Sequence, residues 1–129
     1  MKMTVVLDAS ALLALLHNET GADKVEEALF NKAIISTINW TEVIQKAIAN
    51  NINIENLDNE LAEIGLSYIA FDKQQAHIAG SLWQQTKVLG LSLGDRACLA
   101  LAIHLDSPVL TADKVWQQLD IGVSIQLIR

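Results

Sequence analysis

The sequence has few of the residues that interrupt regular structure or cross-link a chain. Its 129 residues include one proline, six glycines and a single cysteine, Cys98. One cysteine cannot form an intrachain disulfide, and it excludes a metal site built from several cysteines. Because proline and glycine are scarce, we predict a chain that is mostly helix and strand, without a flexible linker. We therefore expect one domain that spans residues 1–129.

Long apolar runs and an excess of positive charge are also lacking. No apolar run reaches the ~18 residues of a membrane-spanning helix, and Asp8 interrupts the N-terminal run too early for a secretory signal. We expect a soluble, cytoplasmic protein. The formal net charge is −6, which argues against binding nucleic acid through a broad basic surface. The acidic balance leaves two interpretations, a charge that serves solubility or a local group of acids that holds cations.

Short apolar segments alternate with helical patterns along the chain. We predict strands at residues 3–7, 33–36, 67–70, 109–110 and 123–127, and helices at residues 10–16, 22–30, 41–49, 54–64, 73–87, 95–105 and 113–119. The alternation predicts an α/β domain with a mainly parallel sheet and helices on both faces. In such sheets ligands bind at the carboxyl ends of the strands, near the point where the strand order reverses.

Four acidic residues lie where predicted strands end or helices begin. Asp8 and Asp113 come shortly after apolar strands, in VVLDAS and VLTAD, and Asp95 lies at the start of an apolar helix in SLGDRACLALA. Each of the three is placed to cap a helix by accepting hydrogen bonds from free backbone N–H groups. Glu42 follows the second strand and has Lys46 four residues further on, a spacing typical of a surface ion pair.

The same four acids fit a second interpretation when they are taken together. In a parallel sheet they converge on one edge, where close carboxylates repel each other unless cations or protons compensate them. Carboxylate oxygens suit Mg²⁺ and Mn²⁺, which also bind phosphate oxygens. The matching chemistry is metal-assisted hydrolysis of phosphodiester bonds. Nearby, Asn39 is either a helix cap or a site residue, and Thr111 either donates a hydrogen bond to the site or simply ends a strand.

Three basic residues lie beside the acids or one helical turn from them: Arg96, Lys46 and Lys114. Each either contacts flanking phosphates or forms an ion pair on a helix surface. Other catalytic patterns are missing, since the sequence contains neither a GxxxxGK nor a GxGxxG loop, nor a GxSxG or HExxH motif. Nucleotide binding of those kinds and a serine-hydrolase triad are therefore unsupported.

The segments VVLDASALLALL, IISTINWTEV, SLGDRACLALA and VLTAD occur in an order that resembles the PIN-domain family, and within it the VapC-type toxins of bacterial toxin–antitoxin pairs. The resemblance covers the whole chain. It implies a three-layer α/β/α sandwich and a Mg²⁺- or Mn²⁺-dependent endoribonuclease. It also implies a homodimer and a VapB-like antitoxin whose tail covers the acids.

The residues that match the family's acidic quartet by position are Asp8, Glu42, Asp95 and Asp113. The resemblance implies that Asp8 and Asp95 bind the metal directly and that Glu42 binds it through water or orients the attacking water. Asp113 is then expected to support a second ion or the water network. The small hydroxyl residues that accompany the quartet are matched by Ser10 and Thr111.

Two other functions remain open on the sequence. A phosphoaspartyl enzyme or receiver domain also places an aspartate after its first strand, but the phosphatase pattern needs a second aspartate two residues later, where this chain has Ser10. The other alternative is a catalytically idle PIN-like module that acts only by binding a protein partner. The presence of all four acids argues against an idle module.

Overall fold

A computed structural model describes residues 4–129, which fold into a parallel sheet with helices on both sides. The strands are β1 (Val5–Leu7), β2 (Ala33–Ser36), β3 (Leu66–Ile69), β4 (Val109–Thr111) and β5 (Ile125–Leu127). The helices are α1 (Ala9–Leu16), α2 (Ala22–Phe30), α3 (Thr37–Ala49), α4 (Leu57–Ile64), α5 (Lys73–Ser81), α6 (Trp83–Thr86) and α7 (Leu93–Leu105). Two 3-10 turns cover Lys87–Leu89 and Lys114–Gln118. The predicted α/β fold is confirmed, although the start of the predicted first strand, Met3, lies outside the described residues.

The sheet has the strand order β3-β2-β1-β4-β5, and every pair of neighbouring strands is parallel. The chain winds from β1 outwards to β2 and β3, and then crosses to the other side of β1 to form β4 and β5. The order therefore reverses between β1 and β4. In open parallel sheets a crevice forms at such a point, outside the carboxyl ends of the two strands.

Two apolar cores cover the two faces of the sheet. Alternate strand residues point to opposite faces, so Leu7 belongs to the core beneath α1 to α4, whereas Val6 belongs to the core beneath α7. Trp116, in the last 3-10 turn, is fully buried in the second core. The apolar residues are thus spread over many short elements, and within residues 4–129 no helix is long and apolar enough to cross a membrane.

Two helices begin earlier than the sequence predicted, and this changes which residues cap them. The N-cap of α3 is Ser36, whose hydroxyl accepts from the Ile38 N–H, so the interpretation of Asn39 as a cap is wrong. The N-cap of α7 is Ser92, so Asp95 is not the cap that was expected. Asp95 instead forms a capping box, in which its backbone N–H donates to the Ser92 hydroxyl and its carboxylate accepts from the Ser92 N–H.

Three predicted helices are shorter or interrupted. The one expected over residues 113–119 is the short 3-10 turn Lys114–Gln118. The helix expected from residue 54 begins at Leu57, because the Asn53 side chain accepts from the Glu55 N–H and Asn56 adopts a positive φ of 63°. The helix expected over residues 73–87 is divided near Leu82. The Ser81 hydroxyl before this division and the Thr86 hydroxyl after it each donate to the carbonyl oxygen four residues earlier. This interaction bends helices.

Gly65 ends α4, and a substitution at this position tests the backbone geometry of the fold. Its φ is +145°, and a Cβ atom there would lie 1.9 Å from the Leu29 carbonyl oxygen. We expect Gly65→Ala to lower the free energy of unfolding by at least about 2 kcal/mol, since the positive φ and the displaced backbone both add strain.

The matched control is Gly80→Ala, because Gly80 lies in α5 and, apart from the adjacent helix backbone, no atom lies within 4 Å of an added Cβ. This substitution should leave stability unchanged or raise it by roughly 0.5–1 kcal/mol, as alanine favours a helix over glycine. Urea unfolding of the two variants measures both effects. Equal stability of the two variants would contradict the assigned geometry at Gly65.

Candidate active site

Asp8 emerges at the carboxyl end of the central strand, at the point where the strand order reverses. Its side chain is almost completely buried, with 4% of the residue exposed. The carboxylate caps α1, since its Oδ1 atom accepts from the Ala11 N–H at 2.8 Å. The predicted cap is therefore present. A cap alone does not require burial, because a helix start can be capped at the surface.

Two hydroxyl groups complete the surroundings of the Asp8 carboxylate. The Thr111 hydroxyl donates to Asp8 Oδ2 at 2.5 Å, and the Ser10 hydroxyl lies 2.8 Å and 2.9 Å from the two carboxylate oxygens. Ser10 Oγ also accepts from the Ala112 N–H, and Thr111 Oγ1 accepts from the Asp113 N–H. These contacts join the end of β1 to the end of β4 across the crevice.

The environment of Asp8 favours the protonated form of its carboxyl group. The pKa of this carboxyl is raised from 3.8 to about 6, mainly by burial and to the smallest extent by the negative charge of Asp95. The hydrogen bonds from Thr111, Ala11 and Ser10 act in the opposite direction, because they favour the ionised form. A charged group kept in such a place without a cationic partner is typical of functional sites.

Glu42 is held by neutral groups rather than by Lys46. The Asn39 amide donates to Glu42 Oε1 at 2.8 Å and to the Gly94 carbonyl oxygen at 2.9 Å. Asn39 is 1% exposed, and its Oδ1 atom has no hydrogen-bond partner within the described residues. A buried acceptor without a partner costs on the order of 1–3 kcal/mol. The expected ion pair between Glu42 and Lys46 does not form.

Asp95 lies in the first turn of α7, near Asp8 and Glu42. The buried thiol of Cys98 lies one turn further along α7. Burial raises the pKa of Cys98 well above its usual range, and the charges of Asp8, Asp95 and Glu42 raise it further. Three of the four acids thus lie near enough to the Cys98 thiol to act on it electrostatically. We refer to Asp8, Glu42 and Asp95 as the acidic cluster.

Asp113 occupies a more open position than the acidic cluster. It is exposed, and its carboxylate caps the following 3-10 turn by accepting from the Val115 N–H at 3.1 Å. The predicted cap is again present. Its charge is not among those that raise the pKa of Asp8 or Cys98. Asp113 is connected to the acidic cluster through its backbone N–H, which donates to the Thr111 hydroxyl.

The basic residues near the acids do not neutralise them. The Arg96 guanidinium donates to the Ala79 carbonyl oxygen on α5. Across residues 4–129 the ion pairs involve Glu19, with His17 and Arg129. The expected helix-surface ion pairs of Arg96, Lys46 and Lys114 are therefore wrong.

The acidic cluster offers carboxylate oxygens but no closed cage for a metal ion. In the part of the chain that the structure describes, no three Asp, Glu, His or Cys side chains stand together as a ready metal site. An ion bound by these acids would keep water molecules among its ligands, as Mg²⁺ usually does. Oxygen donors, mutual repulsion and the lack of basic partners all fit a hard divalent cation.

Sequence reasoning underestimated Asn39 and missed the closeness of Gly94 to Glu42. With α3 starting at Thr37, Asn39 lies on the buried face with Val43 and Ala47. The spacing of these three residues, four apart, was the available signal, because it marks one face of a helix. The distance between Gly94 and Glu42 depends on how α3 packs on α7, which local patterns do not give.

Comparison with known proteins agrees with this architecture. One chain of the DNA-bound VapBC structure from Salmonella typhimurium is similar with a TM-score of 0.76 and 16% identity, covering 99% of this chain and 100% of that chain. A toxin–antitoxin complex from Klebsiella pneumoniae gives 0.70 and 22%, covering 94% and 99%. VapBC-5 from Mycobacterium tuberculosis gives 0.66 and 21%, covering 99% of each chain. These identities are low enough that the likeness concerns the fold.

No curated protein sequence matches the chain. The family model of the PIN domain matches residues 5–122, a range that contains all four acids, the Ser10 and Thr111 hydroxyls and the strands β1 to β4. On this evidence the chain belongs to the PIN domain family.

Proposed function

We propose that this protein is a metal-dependent endoribonuclease that acts as the toxin of a type II toxin–antitoxin pair. The observation that carries the proposal is the buried Asp8 carboxylate at the reversal point of the sheet, with Glu42 and Asp95 close by. Within residues 4–129 no cationic side chain forms an ion pair with any of the three. Membership of the PIN domain family supports the same reaction class.

In this proposal the acids have different roles in binding the metal ion and in activating water. Asp8 and Asp95 hold Mg²⁺ or Mn²⁺ directly, while Glu42 binds it through water or orients the attacking water. Asp113 supports a second ion or the water network from its more exposed place. A bound ion of this kind lowers the pKa of a coordinated water and stabilises negative charge on phosphate oxygens.

The hydroxyls of Ser10 and Thr111 keep Asp8 ready for this role. Their hydrogen bonds fix the direction of the carboxylate and favour its ionised form. Because an ionised carboxylate is the form that binds a cation, these two residues support binding without contacting the substrate. Ser10 and Thr111 therefore act as positioning residues in the proposed site.

The proposed partners are an RNA substrate, a VapB-like antitoxin and a second copy of this chain in a homodimer. The similar solved structures from Klebsiella pneumoniae, Salmonella typhimurium and Mycobacterium tuberculosis are described as toxin–antitoxin or VapBC complexes. Their description and the shared fold support an antitoxin for this chain. An acidic surface also suits this scheme, since bound cations supply positive charge where the phosphate lies.

We expect the purified protein, freed of any antitoxin, to cleave RNA with Mg²⁺ or Mn²⁺ and not with EDTA. Asp8→Asn and Asp95→Asn should each lower the cleavage rate by at least about 100-fold, because each removes a charged oxygen ligand. Gel analysis of labelled RNA measures the rate, and sequencing of the RNA ends gives the cleavage position.

The matched control for this experiment is Asp106→Asn. Asp106 lies at the opposite end of α7 from Asp95, and asparagine also accepts its positive φ of 50°. This variant should cleave at the wild-type rate. If the wild-type protein neither cleaves RNA nor binds Mn²⁺ in calorimetry, the nuclease proposal is overturned in favour of a binding module.

The raised pKa of Asp8 gives a second prediction, on stability in EDTA. The folded protein binds this proton more tightly than the unfolded chain, so the contribution of Asp8 is most favourable below pH 3.8 and is lost as the pH rises to about 6. The loss is on the order of 3 kcal/mol. Asp8→Asn should not show this loss of stability, and at about pH 7 it should be more stable than the wild type.

Chemical unfolding of both proteins across this pH range measures the difference in free energy. At about pH 7 the addition of Mn²⁺ should stabilise the wild type and leave Asp8→Asn unchanged, because the cation offsets a charge that only the wild type carries. A difference that stays constant between about pH 4 and pH 7 would show that Asp8 carries no raised pKa.

A further inference from the structure

The position of the Glu42 carboxylate depends on two neutral residues, Asn39 and Gly94. Asn39 lies one turn before Glu42 on α3, whereas Gly94 lies in the first turn of α7. We infer that these two residues form a clamp that positions Glu42 beside Asp95, and that Asn39 is a positioning residue for the reaction. The inference rests on the proposed function for its catalytic part, while the clamp itself is a structural claim.

The Asn39 half of the clamp holds Glu42 through a hydrogen bond. Both groups that face the Asn39 amide, the Glu42 carboxylate and the Gly94 carbonyl oxygen, are acceptors. Only the NH₂ end of the side chain can satisfy them, so the orientation of the amide is fixed. The same NH₂ group thereby ties Glu42 on α3 to the backbone of α7.

The Gly94 half of the clamp provides the space that the Glu42 carboxylate occupies. A Cβ atom on Gly94 would lie 2.5 Å from Oε2, 2.6 Å from Oε1 and 2.7 Å from Cδ of Glu42. Nonbonded atoms do not approach this closely, so any side chain at position 94 must displace the carboxylate. The atoms in conflict are the end of a flexible side chain, and the fold can therefore survive the substitution.

The clamp explains why Glu42 is directed into the acidic cluster instead of into solvent. Glutamate has three rotatable side-chain bonds, and Lys46 was the partner expected to draw it along the helix surface. The contacts with Asn39 and Gly94 direct it towards the first turn of α7, where Asp95 lies. There it is placed to bind or orient the attacking water of the proposed reaction.

The first test measures activity and metal binding in Asn39→Ala and Gly94→Ala. Both should lower kcat/KM for RNA cleavage, by up to about 100-fold, which is the scale of a misplacement by about 1 Å. Because Asp8 and Asp95 remain, Mn²⁺ should still bind in calorimetry. The matched controls are Asn50→Ala, at the exposed end of α3, and Gly80→Ala, in α5. Both controls should keep the wild-type kcat/KM.

The second test does not depend on activity. Gly94→Ala is made in the wild type and in Glu42→Ala, and the change in Tm is compared between the two backgrounds in EDTA. The change should be clearly more favourable in Glu42→Ala, because the added Cβ no longer meets the carboxylate and alanine favours the helix. Gly80→Ala should shift Tm equally in both backgrounds.

These measurements separate failure of the inference from failure of the proposed function. Equal shifts for Gly94→Ala in both backgrounds would overturn the clamp, whatever the activity. Wild-type kcat/KM in both Asn39→Ala and Gly94→Ala would overturn the positioning role. If the wild type neither cleaves RNA nor binds Mn²⁺, the proposed nuclease function fails, and the Tm comparison still decides whether the clamp exists.

Discussion

The rest of the structure depends on the way in which the Asp8 carboxylate is held at the end of the central strand. β1 lies between β2 and β4, so the residue that follows it enters a place with little access to water. Burial opposes the charge there, and hydrogen bonds from Ser10, Ala11 and Thr111 favour it. The same bonds join β1, α1 and the end of β4. The contacts that keep the charge in place therefore also connect the ends of the two strands between which the strand order reverses.

The acidic cluster has no compensating cation within the described chain, and the proposed function depends on this imbalance of charge. Arg96 is the nearest basic residue to Asp95 in the sequence, yet it donates to a backbone carbonyl of α5. Burial is the main cause of the raised pKa of Asp8, and repulsion by Asp95 adds to it. A protein that only needed a helix cap would gain nothing from keeping these charges close together. Under the proposed function a divalent cation supplies the missing positive charge.

The sequence was sufficient for the fold and for the positions of Asp8 and Asp113, because both come within two residues of the end of a short apolar strand that is buried. It was less reliable where a helix begins. The side chains of Ser36 and Ser92 compete with Asn39 and Asp95 for the cap positions, and the S-x-x-D spacing from Ser92 to Asp95 was the overlooked sign of a capping box. Contacts between helices, such as Gly94 with Glu42, depend on packing that no local pattern contains.

In the inferred clamp, two neutral residues, Asn39 and Gly94, determine the direction of the Glu42 side chain. The strand ends deliver Asp8 and Asp113 to the sheet edge, but Glu42 comes from the side of a helix and has a long, flexible side chain. Asn39 restrains it through its amide NH₂ group, while its own buried Oδ1 atom has no partner within residues 4–129. Gly94 contributes by having no side chain. The acids supply the charge of the site, whereas the position of Glu42 depends on the Asn39 amide and on the absence of a side chain at Gly94.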